Sequence, residues 1–256
     1  MRPADELRDA VEATLRSLTL HPELGALEEA LRYSLESGGK RIRPVLCLAV
    51  AEAAGGSVED ALPAAAAIEL VHTFSLVHDD LPAIDDDDVR RGRPSAHVAF
   101  GDGVALLSGD ALLVEAFRLA LTYERGAVAA ELADATLGMI GGQYRDITGD
   151  DSDIEALHRL KTGRLFVASV RMGLEIAGVP VAAREPWLRF GDDVGLLFQA
   201  VDDLLDGDGY VERIGQSGTE NLASGTAQRA RLELQGLSAD TSVLLDLVDV
   251  LAVRTG

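Results

Sequence analysis

The chain is poor in cysteine, lysine and aromatic side chains, and each scarcity closes off a class of protein. Cys47 is the only cysteine among 256 residues, so no internal disulfide can form and a reducing, cytoplasmic compartment is expected. Basic residues number 23 against 43 acidic ones, a formal net charge of −20. That balance argues against nucleic acid and anionic membrane surfaces as partners, because both need a basic face. The segment Met1-Arg2-Pro3-Ala4-Asp5-Glu6-Leu7 lacks an apolar signal-type run, and no stretch approaches the ~18 apolar residues of a membrane span, so membrane insertion is not expected. No Pro/Ser-rich linker or low-complexity tract divides the chain, which predicts a single domain over residues 1–256 with a sizeable core.

Lysine is the scarcest charged type. Of the 23 basic residues only Lys40 and Lys161 are lysine, and the rest are arginine. Where a generic positive charge suffices this chain uses arginine, so the two exceptions mark positions that suit a compact, flexible ammonium. Both have phosphate-friendly surroundings. Lys40 lies in Ser37-Gly38-Gly39-Lys40-Arg41-Ile42-Arg43-Pro44, where glycines let backbone approach an anion and Pro44 suits the first turn of a helix. Lys161 lies in Leu160-Lys161-Thr162-Gly163-Arg164.

What the chain has in excess is clustered aspartate. Asp79-Asp80-Leu81-Pro82-Ala83-Ile84-Asp85-Asp86-Asp87-Asp88 and Asp202-Asp203-Leu204-Leu205-Asp206 each end a long apolar segment with helical patterning. Carboxylates this close repel by about 1 kcal/mol per pair at ~4 Å in water and roughly 4 at a protein surface, so a fold that tolerates them holds a compensating cation. All-oxygen ligands point to Mg²⁺ or a similar hard ion. Mg²⁺ is rarely caged by protein alone and bridges a few carboxylates to substrate phosphates, so two clusters suggest a diphosphate clamped between two metal-bearing walls. Within the second cluster Asp202 and Asp206 share one helical face. Pro82 cannot continue the first helix, so Asp79 should end it and Asp85 return from a short loop.

Apolar residues recur at three- and four-residue spacing almost throughout, with no convincing strand, so the fold class is all-α. Helices are placed at 3–19, 23–37, 43–54, 58–80, 102–125, 127–148, 153–177, 183–206, 218–236 and 239–253. Several are apolar around much of their circumference, which predicts a single large helical bundle whose core holds a central apolar cavity. A calcium loop fails in both clusters, because Val89 or Tyr210 falls on the third ligand position. A His-Asp metal phosphohydrolase fails too, since His72 and His78 are too close along the chain. Beyond the first cluster, Val89-Arg90-Arg91-Gly92-Arg93 reads as ion-paired surface in isolation, and as bidentate phosphate recognition beside a metal–diphosphate site. Asp110 reads as a structural partner inside an apolar helix. Gln143 and Asp146 are candidates to face the same cavity.

Four segments in order resemble the trans-type polyprenyl (isoprenyl) diphosphate synthases, over about residues 25–210: Gly38 to Pro44, His78 to Gly92, Lys161-Thr162-Gly163, and Phe198 to Asp206. The bacterial farnesyl and geranylgeranyl diphosphate synthases are most similar. The resemblance implies a helical bundle around a deep apolar cavity, a homodimer, and condensation of isopentenyl diphosphate with an allylic diphosphate. It implies three Mg²⁺ ions with the substrate, held by Asp79 and Asp85 with Asp202 opposite, and Asp80 and Asp206 in support. Arg90 and Lys161 would bind the allylic diphosphate. Lys40, Arg43, His72 and Arg91 would bind isopentenyl diphosphate, and Thr162 and Gln199 would sit beside the reacting carbon.

In this family side chains just upstream of the first aspartates set product length. Phe74 and Ser75 stand there, and the aromatic ring should close the floor early, which favours farnesyl over geranylgeranyl diphosphate. One departure matters. The family carries further lysines after the second cluster, whereas residues 207–256 contain none, so the lid is expected to be shortened, with Arg213, Arg229 or Arg231 as substitutes. A non-catalytic subunit of a hetero-oligomeric synthase therefore stays open as an alternative, and terpene cyclisation and hydrolysis as lesser ones.

Overall fold

The computed structural model describes residues 1–150 and 152–253. Among the described residues twelve α-helices follow one another: α1 (Ala4–Ser17), α2 (Glu28–Leu35), α3 (Ile42–Ala53), α4 (Val58–Asp79), α5 (Ala96–Phe100), α6 (Asp102–Ala120), α7 (Ala127–Ile147), α8 (Ile154–His158), α9 (Arg164–Ile176), α10 (Glu185–Asp206), α11 (Tyr210–Gln235) and α12 (Ser242–Ala252). The all-α expectation holds. α4 packs on α6 and α3, α9 lies against α3 and α7, and α10 runs along α11, so α4 and α10 carry their acidic C-terminal ends up through the same bundle.

Helix α4 shows how the sequence keeps such an element continuous. Ser57 caps it, its hydroxyl accepting from the Asp60 amide at 3.2 Å. Pro63 lies inside the helix, where it removes a donor from the ladder. The Tyr123 hydroxyl inserts beside it, accepting from Ala64 N–H at 3.2 Å and donating to the Asp60 carbonyl at 2.6 Å. α4 is also the one described helix long and apolar enough, by length and mean hydropathy, to cross a membrane, which corrects the expectation that no stretch comes near. Neighbouring helices bury 67% of its most apolar window.

Several elements differ from the expected ones, among them α5, where no helix was placed, and the expected helix 102–125, which ends at Ala120. The predicted helix 23–37 opens instead as a 3₁₀ segment, Pro22–Leu27, kinked inside at Gly25 (φ 51°), before α2 begins. The predicted helix 153–177 contains a π-type turn, Arg159–Gly163, between α8 and α9. Residues 210–217, expected outside helix, belong to α11, which kinks at Gly215. Two-residue strands, β1 (Val89–Arg90) and β2 (Arg93–Pro94), pair antiparallel where no strand was expected. They are too short for any periodic signal. Their turn has positive φ at both Arg91 (54°) and Gly92 (75°), as tight hairpins require.

Arg41 fastens the segment between α2 and α3. Its guanidinium is buried and meets Glu69 at 2.5 Å, Glu12 at 2.7 Å and the Leu35 carbonyl at 2.6 Å. Each buried charge thus has an opposite partner, without which the cost of desolvation would be severe. Of the three cations in Lys40-Arg41-Ile42-Arg43, this one is structural.

Candidate active site

The ends of α4 and α10 face each other across a cavity of about 740 Å³ lined by Asp79, Asp202 and Asp206, together with Arg90, Arg91 and Lys161. The two aspartate clusters therefore share one space. Asp79 ends α4, and the amide of Asp85 donates back to the Asp79 carbonyl at 2.9 Å, closing the Pro82 turn as the sequence predicts. Asp85 itself is exposed at the rim and is not among the residues that line the cavity. Asp80 is buried and turned the other way. It accepts from Arg90 Nε at 2.9 Å and from Arg90 Nη2, and Arg90 also meets Asp87 at 2.9 Å. In the second cluster Asp203 is likewise buried, accepting from the Tyr210 amide and from Gln199 Nε2, both at 2.7 Å. It caps the start of α11. Gly209, with φ of 52°, permits this, because a Cβ there would lie 2.3 Å from the Asp203 carboxylate.

The remaining predicted residues gather around this cavity. The π-type turn presents Lys161 and Thr162 to it, a use of this irregularity common at functional sites. Lys161 Nζ is paired with Asp146, on the last turn of α7. Next to the main cavity, a pocket of about 320 Å³ is lined by Lys40, Arg43, His72, Arg91 and Phe198. Arg43 lies over the rings of Phe166 (4.4 Å) and Phe198 (5.3 Å), and its buried Nε has no hydrogen-bond partner. Arg91 crosses Gly39, where a Cβ would come within 2.7 Å of its guanidinium, and donates to the Gly38 carbonyl.

Beneath the headgroup region lies a pocket of about 420 Å³, lined by Phe74, Ile84, Leu113, Met139, Ile140 and Ile147 among others. It shares Ser75, Asp79, Met139 and Lys161 with the cavity above. An acidic, cation-flanked chamber thus opens on an apolar one.

Electrostatics reinforce the division. Burial, with the neighbouring Asp206 and Asp203, pushes Asp202 up to about 6. Burial also pushes Asp79 up to about 6, with Asp85 and Asp80 adding and Lys161 opposing. On the other flank, burial brings Arg43 down to about 10. Burial and the nearby Arg43 and Arg91 hold His72 well below the imidazole range. One wall waits for cations and the other for anions. Among the described residues no three carboxylate, imidazole or thiolate groups converge closely enough to hold a metal alone, so an ion here needs ligands from a bound molecule. The oxygen-only donors and their raised pKa values suit Mg²⁺ shared with a diphosphate.

The lid is where the expectation changes. Arg229 pairs with Asp193 and Arg231 with Asp249, both at 2.7 Å, and neither lines the cavity. Beyond Asp206 the lining consists of Asp208, Gly209 and Glu212, with no cation among them. The clasp at Asp203, the Lys161–Asp146 pair and the Phe166–Phe198 cradle escaped sequence reasoning. Each depends on how a side chain turns once the helices pack, which leaves no periodic pattern.

Asp203→Ala is expected to leave the half-buried side-chain amide of Gln199 and the buried first amide of α11 without this partner, costing about 2 kcal/mol. Thermal unfolding should show a Tm lower by several degrees; an unchanged Tm would contradict the capping role.

The sequence and the fold both find relatives. The Polyprenyl synthetase family model matches residues 25–228. A geranylgeranyl diphosphate synthase of Cyanophora paradoxa is 41% identical, over 83% of this chain and 76% of its own length. A farnesyl diphosphate synthase of Bacillus subtilis is 36% identical over 90% of this chain and 89% of its own. The crystal structure of a geranyltransferase from Legionella pneumophila superposes with a TM-score of 0.87 at 30% identity, covering 98% of this chain and 94% of that one. With the two acidic walls, the flanking cations and the apolar chamber already in place, these matches identify the chain as a trans-prenyltransferase of the polyprenyl synthetase family.

Proposed function

We propose that the protein condenses isopentenyl diphosphate with an allylic diphosphate, dimethylallyl or geranyl, to give farnesyl diphosphate. The observation that carries this reading is the shared cavity of Asp79 and Asp202 above an apolar pocket. Asp79, Asp85, Asp202 and Asp206 hold magnesium, three ions with the substrate, while Asp80 serves by fixing Arg90. Bound magnesium supplies the positive charge that steadies the departing diphosphate.

Arg90 and Lys161 grip the allylic diphosphate, and Lys40, Arg43, His72 and Arg91 receive isopentenyl diphosphate. Arg43 is built for this, with a buried, unpaired donor between two rings. Thr162 and Gln199 flank the reacting carbon, Gln199 held in place by Asp203. The allylic carbon–oxygen bond breaks with its electron pair leaving on the diphosphate. The double bond of isopentenyl diphosphate then attacks the allylic carbon, and the proton lost from the adduct passes to a diphosphate oxygen. The apolar walls exclude water from the cation. Phe74, buried at the pocket wall and edge-on to His78 at 5.1 Å, supports the farnesyl product over geranylgeranyl.

We further infer one domain working in the cytoplasm as a homodimer. Exposed Leu106, Leu107 and Val114 on α6, with Leu137 and Ile140 on α7, support the pairing face.

The deciding experiment is incubation with isopentenyl diphosphate and each allylic primer, followed by product-length analysis. Farnesyl diphosphate is expected, and no prenyl product with any primer would favour a non-catalytic subunit. A second test uses binding alone. Asp79 and Asp202 are raised from near 3.8 to about 6, so their contribution to stability is present below pH 3.8 and lost as pH rises through 6. Mg²⁺ with inorganic pyrophosphate should therefore raise Tm far more at pH 8 than at pH 5, and more than the sum of either alone. Equal, additive shifts would count against a joint site.

A further inference from the structure

Ser95 stands at the N-cap of α5, yet its side chain does not cap the helix. A serine there ordinarily accepts from an amide of the first turn, a contact typically worth about 1 kcal/mol. Here the buried hydroxyl meets Nδ1 of buried His97 at 3.0 Å instead. The other ring nitrogen, Nε2, stands 3.7 Å from Asp88. With its proton on Nε2, toward that carboxylate, the imidazole leaves Nδ1 to accept from the Ser95 hydroxyl.

What this contact closes is the β1–β2 hairpin. Ser95 directly follows β2, and its amide donates to the carbonyl of Asp88, just before β1, at 2.9 Å. Both ends of the hairpin therefore meet at one imidazole. A second tie comes from α2, where the Tyr33 hydroxyl donates to the Pro94 carbonyl at 2.7 Å and the ring lies 4.1 Å from the Arg93 guanidinium. Between these ties the hairpin carries two adjacent arginines to the chambers: Arg90 lines the main cavity, and Arg91 lines both it and the smaller pocket beside it.

We propose that His97 is a positioning residue for both substrates, clasping the two ends of the hairpin and so fixing where Arg90 and Arg91 meet the two diphosphates. The inference rests on the prenyl-transfer reading above. Neighbouring residues on one tight turn cannot be placed independently, so one clasp serves two binding sites. Arg91 has a φ of 54°, a conformation uncommon outside glycine, and a loosened turn lets it relax and withdraw its guanidinium. Phosphate recognition by a planar fork tolerates little misplacement. His97 itself lines neither cavity and acts only through the arginines.

His97→Ala removes the ring, and Ser95→Ala removes only the hydroxyl. Each should weaken both isopentenyl diphosphate and an inert allylic thiolodiphosphate, measured by calorimetry with Mg²⁺ well below Tm, by about 10-fold. The double variant should be no worse than His97→Ala, since both changes break one contact. His97→Asn, whose amide oxygen still reaches the Ser95 hydroxyl, should bind both ligands within about 3-fold of the unaltered protein. In an Arg91→Gln background the loss for isopentenyl diphosphate on His97→Ala should vanish, while that for the thiolodiphosphate persists. A lower Tm with both affinities kept makes the contact merely structural and overturns the proposal. Loss of one affinity alone also overturns it, as does a loss for isopentenyl diphosphate that adds to that of Arg91→Gln. Ser95→Ala, the smaller change, decides the matter if His97→Ala does not fold. Failure of the prenyl-transfer reading is distinct, because it appears as an absence of product from the unaltered protein.

Discussion

Asp202→Asn is expected to lower kcat by at least about 10³-fold while leaving the protein as stable as before or more so. The substitution changes charge and hardly changes shape. In the free protein the Asp202 carboxylate is disfavoured by burial and by Asp206 and Asp203, which is why its pKa rises to about 6. A neutral amide removes that repulsion, so Tm at pH 8 should hold or rise, the expected trade between stability and function at a charged site. The joint response to Mg²⁺ and pyrophosphate should disappear. Its neighbour gives the control: Asp203 faces Gln199 and the α11 amide, so its loss should show in Tm. Full turnover by the Asp202 variant would defeat the assignment of the second wall.

Phe74→Ala should lengthen the main product by one isoprene unit or more. Phe74 leans edge-on against His78 and lines the pocket within a turn and a half of Asp79, and in the proposed reading its ring is the floor that a growing chain meets. Removing a buried phenylalanine ring costs about 3–5 kcal/mol when the void stays empty. Here one side of the ring already borders a cavity, and a longer chain can fill the space. Tm should therefore fall less than for a core phenylalanine such as Phe166. Chromatography of dephosphorylated products reads the outcome, and an unchanged length would place the floor elsewhere.

The parts of this molecule legible in its sequence are those with local causes. Three- and four-residue spacing foretold the helices, and Pro82 foretold that Asp79 and Asp85 would meet across a turn. The rarity of lysine singled out Lys40 and Lys161, which line adjoining cavities. Other roles depend on which way a side chain turns once the fold is assembled. Nothing near Asp80 says that it faces Arg90, and nothing near Asp203 distinguishes a helix cap from a metal ligand. Arg43 looks like any arginine until Phe166 and Phe198 close around it. The helical start at Tyr210 was hidden because the cap that makes it comes from seven residues upstream.

That cap limits how the protein can be re-engineered. The joint from Asp206 to Tyr210 has no slack: Gly207 closes α10 with φ of 79°, and any side chain at 209 would strike Asp203. A lysine-rich flap grafted there would unseat α11. Gly215 is different, since backbone there already leaves helical geometry and no atom lies within 4 Å of where a Cβ would stand. It is the natural splice point for restoring a basic cover over the mouth.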